Sequence, residues 1–251
     1  MARPVILVTN DDGIYAPGLR LLAEALEAVG EVWVYAPDRQ QSGVGHGVSM
    51  HRPLRVTQTD PRRFMVDGTP TDCVMLAVRD LLKSRPQLVF SGINSGANLG
   101  DDVTYSGTVA GAYEGMLQGI HSVAMSTVGY EHKHMDTAAQ FAAKLAQHIL
   151  KSGLPEWTTL NVNVPDVPAS EIAGVAITRM GRRHYEDEII TRHDPRGGLY
   201  YWIGGSAPSH HEESGTDFEA VEQKKISITP LHRDMTNHAA IASLAGQNIE
   251  F

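Results

Sequence analysis

Residues Val5, Ile6, Leu7 and Val8 form an unbroken apolar run rich in β-branched side chains. Such a run suits a strand covered on both faces, which in a globular protein means a parallel sheet packed between helices. Leu19, Leu22, Ala23 and Leu26 then fall at i, i+3, i+4 and i+7. That spacing is one stripe of a helix, and Gly30 is placed to end it. Residues 31–36, from Glu31 to Ala36, supply a second apolar strand. Strand, helix and strand predict a βαβ unit with the usual right-handed crossover.

The alternation continues along the chain. Thr69, Pro70 and Asp72 carry the signs of a helix start: an N-cap, a proline at the first helical position and an acid in the first turn. That helix is expected to run to about residue 84. Strands over 88–91, 122–127 and 158–164 alternate with helices over 108–119 and 135–151, so the fold class is α/β, a Rossmann-like doubly wound and mostly parallel sheet. Residues 48–56 and 64–66 read as an inserted antiparallel hairpin. Past Val164 the helices stop, and 172–178, 188–191 and 199–203 read as strands of an antiparallel extension reaching roughly to 230, with 206–216 a loop. The expected division is a Rossmann-like catalytic region at 1–164 and a β-rich oligomerisation region with a C-terminal tail at 165–251.

Charge restricts the partners. The chain has 21 basic and 29 acidic residues, a formal net charge of −8, and no dense basic block. Binding to a nucleic-acid polymer by counterion release is not expected. A phosphate ester remains possible as a ligand if a metal ion or a helix N-terminus supplies local positive potential. No apolar stretch nears the roughly 20 residues of a membrane helix, so no membrane partner is expected. The single cysteine, Cys73, gives no sign of an oxidising compartment, and the N-terminal apolar run is too short for a signal peptide. The cytoplasm is the expected location.

In open parallel sheets, ligands bind beyond the C-terminal ends of the strands. Three loops there are unusual: Asn10-Asp11-Asp12-Gly13 after the first strand, residues 38–47 after the second, and the glycine-rich residues 91–100 leading to Ser106-Gly107-Thr108. Two adjacent carboxylates repel each other, and their natural companion is a hard divalent cation. Ser42 and Asn94 can add neutral oxygens from neighbouring loops. One ion per subunit, Mg²⁺ or Mn²⁺ with Ca²⁺ as a further option, would polarise a phosphoryl group and acidify a water. An Asp-Gly turn of solvated acids explains the same residues taken alone; their place after a buried first strand favours the metal site.

Competing motifs fail. Cys73 and Arg79 have the C-x5-R spacing of cysteine phosphatases, but residues 74–78 between them are apolar and contain no glycine, which makes Cys73 a buried structural residue. Asp11-Asp12-Gly13 lacks the alternating acids of aspartyl-phosphate phosphatases. The glycines of 43–47 follow the second strand, whereas a dinucleotide fingerprint belongs after the first. Of the twelve histidines, His46 alone lies in a candidate site loop.

Taken together, these motifs resemble the SurE (survival protein E) family of 5′/3′-nucleotidases. The resemblance rests on Val8-Thr9-Asn10-Asp11-Asp12-Gly13, Ala36-Pro37-Asp38-Arg39 with Ser42-Gly43, Gly68-Thr69-Pro70-Thr71-Asp72, Ser91-Gly92-Ile93-Asn94-Ser95-Gly96, Asn98-Leu99-Gly100 and Tyr105-Ser106-Gly107-Thr108, with Asp194-Pro195-Arg196-Gly197 and Gly215-Thr216-Asp217 further on. It implies a divalent metal held by Asp11, Asp12, Ser42 and Asn94. It also implies a phosphate near Asn98, Ser106, Gly107 and Thr108. Asn10 and Gly43 are further candidate contacts, and Asp11 or Asp12 is the candidate base. The implied substrates are nucleoside monophosphates and, in some members, short polyphosphate. A homodimer or homotetramer built partly by an arm around 183–201 is implied too. The readings left beside it are a nucleotide sensor without catalysis and a nicotinamide-dependent oxidoreductase.

Overall fold

The computed structural model describes residues 3–129, 131, 133–184, 187–205 and 209–247. Its elements are β1 (Val5–Thr9), α1 (Pro17–Glu27), β2 (Glu31–Pro37), β3 (Val56–Asp60), β4 (Arg63–Val66), α2 (Pro70–Leu76), β5 (Leu88–Ser95), α3 (Gly107–Leu117), β6 (His121–Val128), α4 (Met135–Ser152) and β7 (Thr158–Pro165). Then follow β8 (Val175–Ile177), β9 (Arg183–His184), β10 (Asp187–His193), β11 (Leu199–Gly205), β12 (Ser209–His210), α5 (Asp217–Glu222), β13 (Ile226–His232) and α6 (His238–Ala245). The nine-stranded sheet runs β3-β4-β2-β1-β5-β6-β7-β13-β8, parallel from β4 to β7.

The two-residue period of the strands sorts the core into layers. Ile6, Val8, Phe90, Val123 and Val162 face one side, where the apolar stripes of α1 and α4 cover them. Leu7, Val89 and Tyr35 face the other, under Cys73, Val74 and Ala77. The start of α2 is the reciprocal cap its residues promise: Thr69 Oγ1 accepts the Asp72 N–H at 3.1 Å, and Asp72 Oδ2 accepts the Thr69 N–H at 2.9 Å.

Several details differ from the sequence reading. Residues 48–55 form no strand: Pro53 has no N–H to give a ladder, and the N–H groups of Ser49 and Arg55 go to the carboxylates of Asp72 and Asp67. The hairpin is β3 with β4 instead. The α2 helix continues only through a π turn, Ala77–Leu81, and stops short of residue 84. Beyond β7 the chain is not purely strand. Thr216 caps the short helix α5 by accepting the Glu219 N–H, and β13 then returns to pair antiparallel with β7 while β8 pairs parallel with β13. The β10–β11 hairpin forms a separate two-stranded sheet. Residues 206–208 of the expected loop lie outside the described residues, and Ser209–His210 pairs with β9.

Candidate active site

The strand order places β1 between β2 and β5. The chain leaves β1 toward one side of the sheet and later returns on the other, which makes the C-terminal ends of β1 and β5 the point where a crevice opens. Asp11 and Asp12 follow β1 after Asn10, and Asn94 is the next-to-last residue of β5. A cavity of about 340 Å³ occupies this crevice, and Asp11, Asp12, Ser42, Gly43, Asn94, Asn98 and Ser106 all line it.

Asn10 shapes the turn that presents the acids. Fully buried, it donates from Nδ2 to the Gly13 carbonyl at 3.0 Å and accepts the Gly13 N–H at 3.2 Å. Gly13, at φ +98°, takes a backbone conformation that a side chain would strain. Asp11 is 4% exposed, and the Thr108 hydroxyl donates to its Oδ1. Burial, reinforced by the charge of Asp12 and opposed by the Thr108 hydroxyl, lifts the Asp11 carboxyl to about 6. The charged group acting on this buried acid is thus a second acid. Asp12, less buried, accepts the Ser95 N–H at 3.3 Å.

Neutral oxygens sit around the pair. The Asn94 Nδ2 is spent on the Gly96 carbonyl at 2.9 Å, so Oδ1 is the end of that amide left for a cation. Ser42 accepts a hydrogen bond from Gln40 at 2.9 Å. Two carboxylates with hydroxyl and amide oxygens make a hard, all-oxygen donor set that fits Mg²⁺, Mn²⁺ or Ca²⁺ and not a thiolate- or imidazole-loving metal. No group of three His, Cys, Asp or Glu gathers among the described residues.

Another wall of the cavity is built from the loop after β5. Ser106 caps α3 by accepting the Val109 N–H at 3.1 Å, leaving the helix N-terminus toward the crevice with its partial positive charge. A Cβ on Gly107 would lie 2.8 Å from the Asp11 Cβ; only glycine lets α3 begin this close to the acids. Asn10, Gly107 and Thr108 therefore stand directly behind the cavity, shaping it, and do not line it. Gln40, Ser95, Asp102 and Tyr105 line it as well and were not singled out by sequence. Asp102 is paired with Arg183, whose Nε donates to its Oδ2 at 3.0 Å.

A larger cavity, about 860 Å³, lies at the opposite ends of β1, β2 and β4, floored by Trp33, Tyr35 and Phe64. Size does not decide between them, because only the smaller one brings an acid pair and a helix N-terminus together. His46 lies apart from the acids, hydrogen-bonded to Glu114 at 3.1 Å. Cys73 is fully buried, its thiol pushed well above the usual range by burial, so it is no nucleophile.

A family model described as Survival protein SurE matches residues 6–187. The chain belongs to the SurE family. The 5′-nucleotidase SurE of Geobacter sulfurreducens is 54% identical over 240 residues, covering 95% of this chain and 92% of that one. Its counterpart in Moorella thermoacetica is 50% identical over 246 residues, covering 96% and 95%. The crystal structure of the SurE protein from Aquifex aeolicus matches with a TM-score of 0.85 at 43% identity, over 96% of this chain and 98% of that one. The stretch matched by the SurE model includes every candidate ligand and ends before α5.

Proposed function

We propose that this SurE-family chain is a metal-dependent phosphomonoesterase that hydrolyses nucleoside 5′- and 3′-monophosphates to nucleoside and phosphate, with short polyphosphate as a further substrate. The observation that carries the reading is the meeting of Asp11, Asp12, Ser42 and Asn94 in one cavity with Asn98 and the N-terminus of α3. The first four hold one divalent cation. When bound, that ion neutralises developing charge on the phosphoryl oxygens and makes a water more acidic.

The chain's own residues do the rest. Gly43, Asn98 and Ser106 border the space for the phosphate, and the first turn of α3 offers backbone N–H groups to it. Thr108 fixes the rotamer of Asp11. Asp12, the more exposed acid, is the one placed to take a proton from water. A nicotinamide enzyme needs glycines, not two acids, after the first strand, and relatives named 5′-nucleotidase favour an enzyme over a sensor.

The β10–β11 hairpin presents Tyr201 at 61%, Trp202 at 64% and Ile203 at 81% exposure. Apolar surface of this kind is stably covered by another subunit, which supports a homodimer or homotetramer. No helix among the described residues is long and apolar enough to cross a membrane, and a nucleotide substrate suits a cytoplasmic location.

Turnover of AMP, 3′-AMP and a short polyphosphate, assayed after chelation and after restoring Mg²⁺, Mn²⁺ or Ca²⁺, tests the reading. Hydrolysis that vanishes with chelator and returns with a divalent ion is expected; hydrolysis indifferent to chelator would overturn it.

A further inference from the structure

Asn98 belongs to no strand, yet its peptide groups are bonded as if it did. Its N–H donates to Asn163 Oδ1 at 2.8 Å, and its carbonyl accepts from Asn161 Nδ2 at 2.8 Å and from Asn163 Nδ2 at 3.0 Å. Its side-chain Nδ2 contacts Ser126 Oγ at 2.7 Å. Asn161 and Asn163 alternate with Leu160, Val162 and Val164 on β7, so they share one face. Ser126 on β6 is the register partner of Asn163. All three are fully buried.

Burying two carboxamides in the middle of a sheet is costly unless their hydrogen bonds are used. Here Asn161 Nδ2 and both ends of the Asn163 amide go not to the sheet but to a single residue 63 and 65 positions earlier, while Asn161 Oδ1 is buried with no partner among the described residues. Amide side chains thus act as substitute peptide groups, extending the hydrogen-bonding pattern of β7 to a loop residue that lines the acid cavity. The loop around Asn98 contains Gly96 at φ +122° and Gly100 at φ +52°, so its own backbone preferences do not set its course.

We infer that Asn163, assisted by Asn161, is a positioning residue that sets the placement of Asn98 against the phosphoryl group. The inference rests on the reading that Asn98 contacts phosphate. It makes Asn163 act through Asn98 and not through the cation, since Asp11, Asp12 and Asn94 are held by other elements.

The test is a double-mutant cycle on the full chain with Mn²⁺, using Asn98→Ala, Asn163→Ala and the pair. The readouts are KM for an aryl phosphate, the inhibition constant of inorganic phosphate, and Mn²⁺ affinity by calorimetry. Asn163→Ala should raise KM and the phosphate inhibition constant by about tenfold, the scale of one or two lost hydrogen bonds, while Mn²⁺ affinity stays within about twofold. Added to Asn98→Ala, it should do nothing more. Equal effects of Asn163→Ala with and without Asn98 would make its role merely structural and overturn the inference, as would an unchanged KM in the folded single variant. If Asn98→Ala itself leaves both constants unchanged, the phosphate reading of Asn98 fails instead. Should Asn163→Ala not fold, Asn161→Ala, which removes one bond, carries the same cycle with a smaller rise.

Discussion

The carboxylate of Asp217 accepts the backbone N–H of Gly100 at 2.8 Å across 117 residues of sequence, and its second oxygen accepts the N–H of Gly181 at 2.8 Å. Asp217 is itself fully buried, and burial raises its carboxyl above the ordinary range despite those backbone donors. Asp217→Ala strands both N–H groups and that of Phe218, which donates to the same carboxylate at 3.0 Å. A stability loss of about 3 kcal/mol is expected, and a smaller one for Asp217→Asn, which keeps one oxygen acceptor. Urea midpoints for the two variants and the wild type check this ordering; midpoints of both variants equal to that of the wild type would show that none of these bonds matters.

Asp11→Asn and Asp12→Asn each remove a charge from the cation while preserving side-chain volume. Both should lose activity by about a hundredfold or more with the fold intact, the scale of losing a principal electrostatic contact in a reacting site. Asn94→Ala should weaken Mn²⁺ binding less, because a neutral oxygen contributes less Coulomb attraction than a carboxylate. Near-normal turnover of either acid variant at saturating metal would remove it from the ligand set.

The metal-free protein should be sensitive to pH through Asp11. Its folded value, about 6, lies above the unfolded value of 3.8, so the native state binds that proton more tightly. This contribution to stability is fully present below 3.8 and is lost as pH rises through about 6, up to about 3 kcal/mol in all. In chelator, Asp11→Asn should gain on the wild type between pH 4 and pH 7 in thermal melts. A constant difference between the two proteins across that range would refute the assignment.

Cys73→Ala should keep full activity and lose about 1 kcal/mol of stability, the consequence of a small void in the layer under α2. Steady-state kinetics with a melting curve suffice; an inactive but folded protein would reopen the thiol mechanism.

Replacing residues 187–205 with a short glycine linker should lower the oligomeric state in light scattering while Mn²⁺ still binds. The cut is made after Arg183, because that side chain holds Asp102 at the cavity. An oligomer of unchanged mass would place the interface elsewhere.

What could be read from sequence was what depends on neighbours in the chain. The pattern of Leu19, Leu22, Ala23 and Leu26 and the run after Pro4 define elements by local period, and Asp11, Asp12 and Asn94 stand out because they sit at strand ends. Asn161 and Asn163 carried a signal that could have been used: polar residues at every second position of a strand whose other residues are apolar. What that alternation could not tell was that the amides serve a loop 65 positions earlier. Asp217 sits beside Thr216 like any helix-start acid, and only the tertiary fold shows it gripping Gly100. The alternation of residues 48–56 suggested a strand, but carboxylates of Asp72 and Asp67 took the backbone donors of Ser49 and Arg55.

The return of β13 to the edge of β7 bears on the order in which the protein matures. A nascent chain that has emerged only through β7 already carries both acids, Ser42, Asn94 and the asparagines that seat Asn98. The grip on Gly100 and the partner of Asp102 arrive only with residues 181–217, and the sheet edge beside Asn163 is covered last, by β13. Contacts of such long sequence separation form late and slowly. Cation affinity should therefore appear early in refolding and ester hydrolysis late, which makes the interval between them a clock for the docking of the C-terminal third onto the first two.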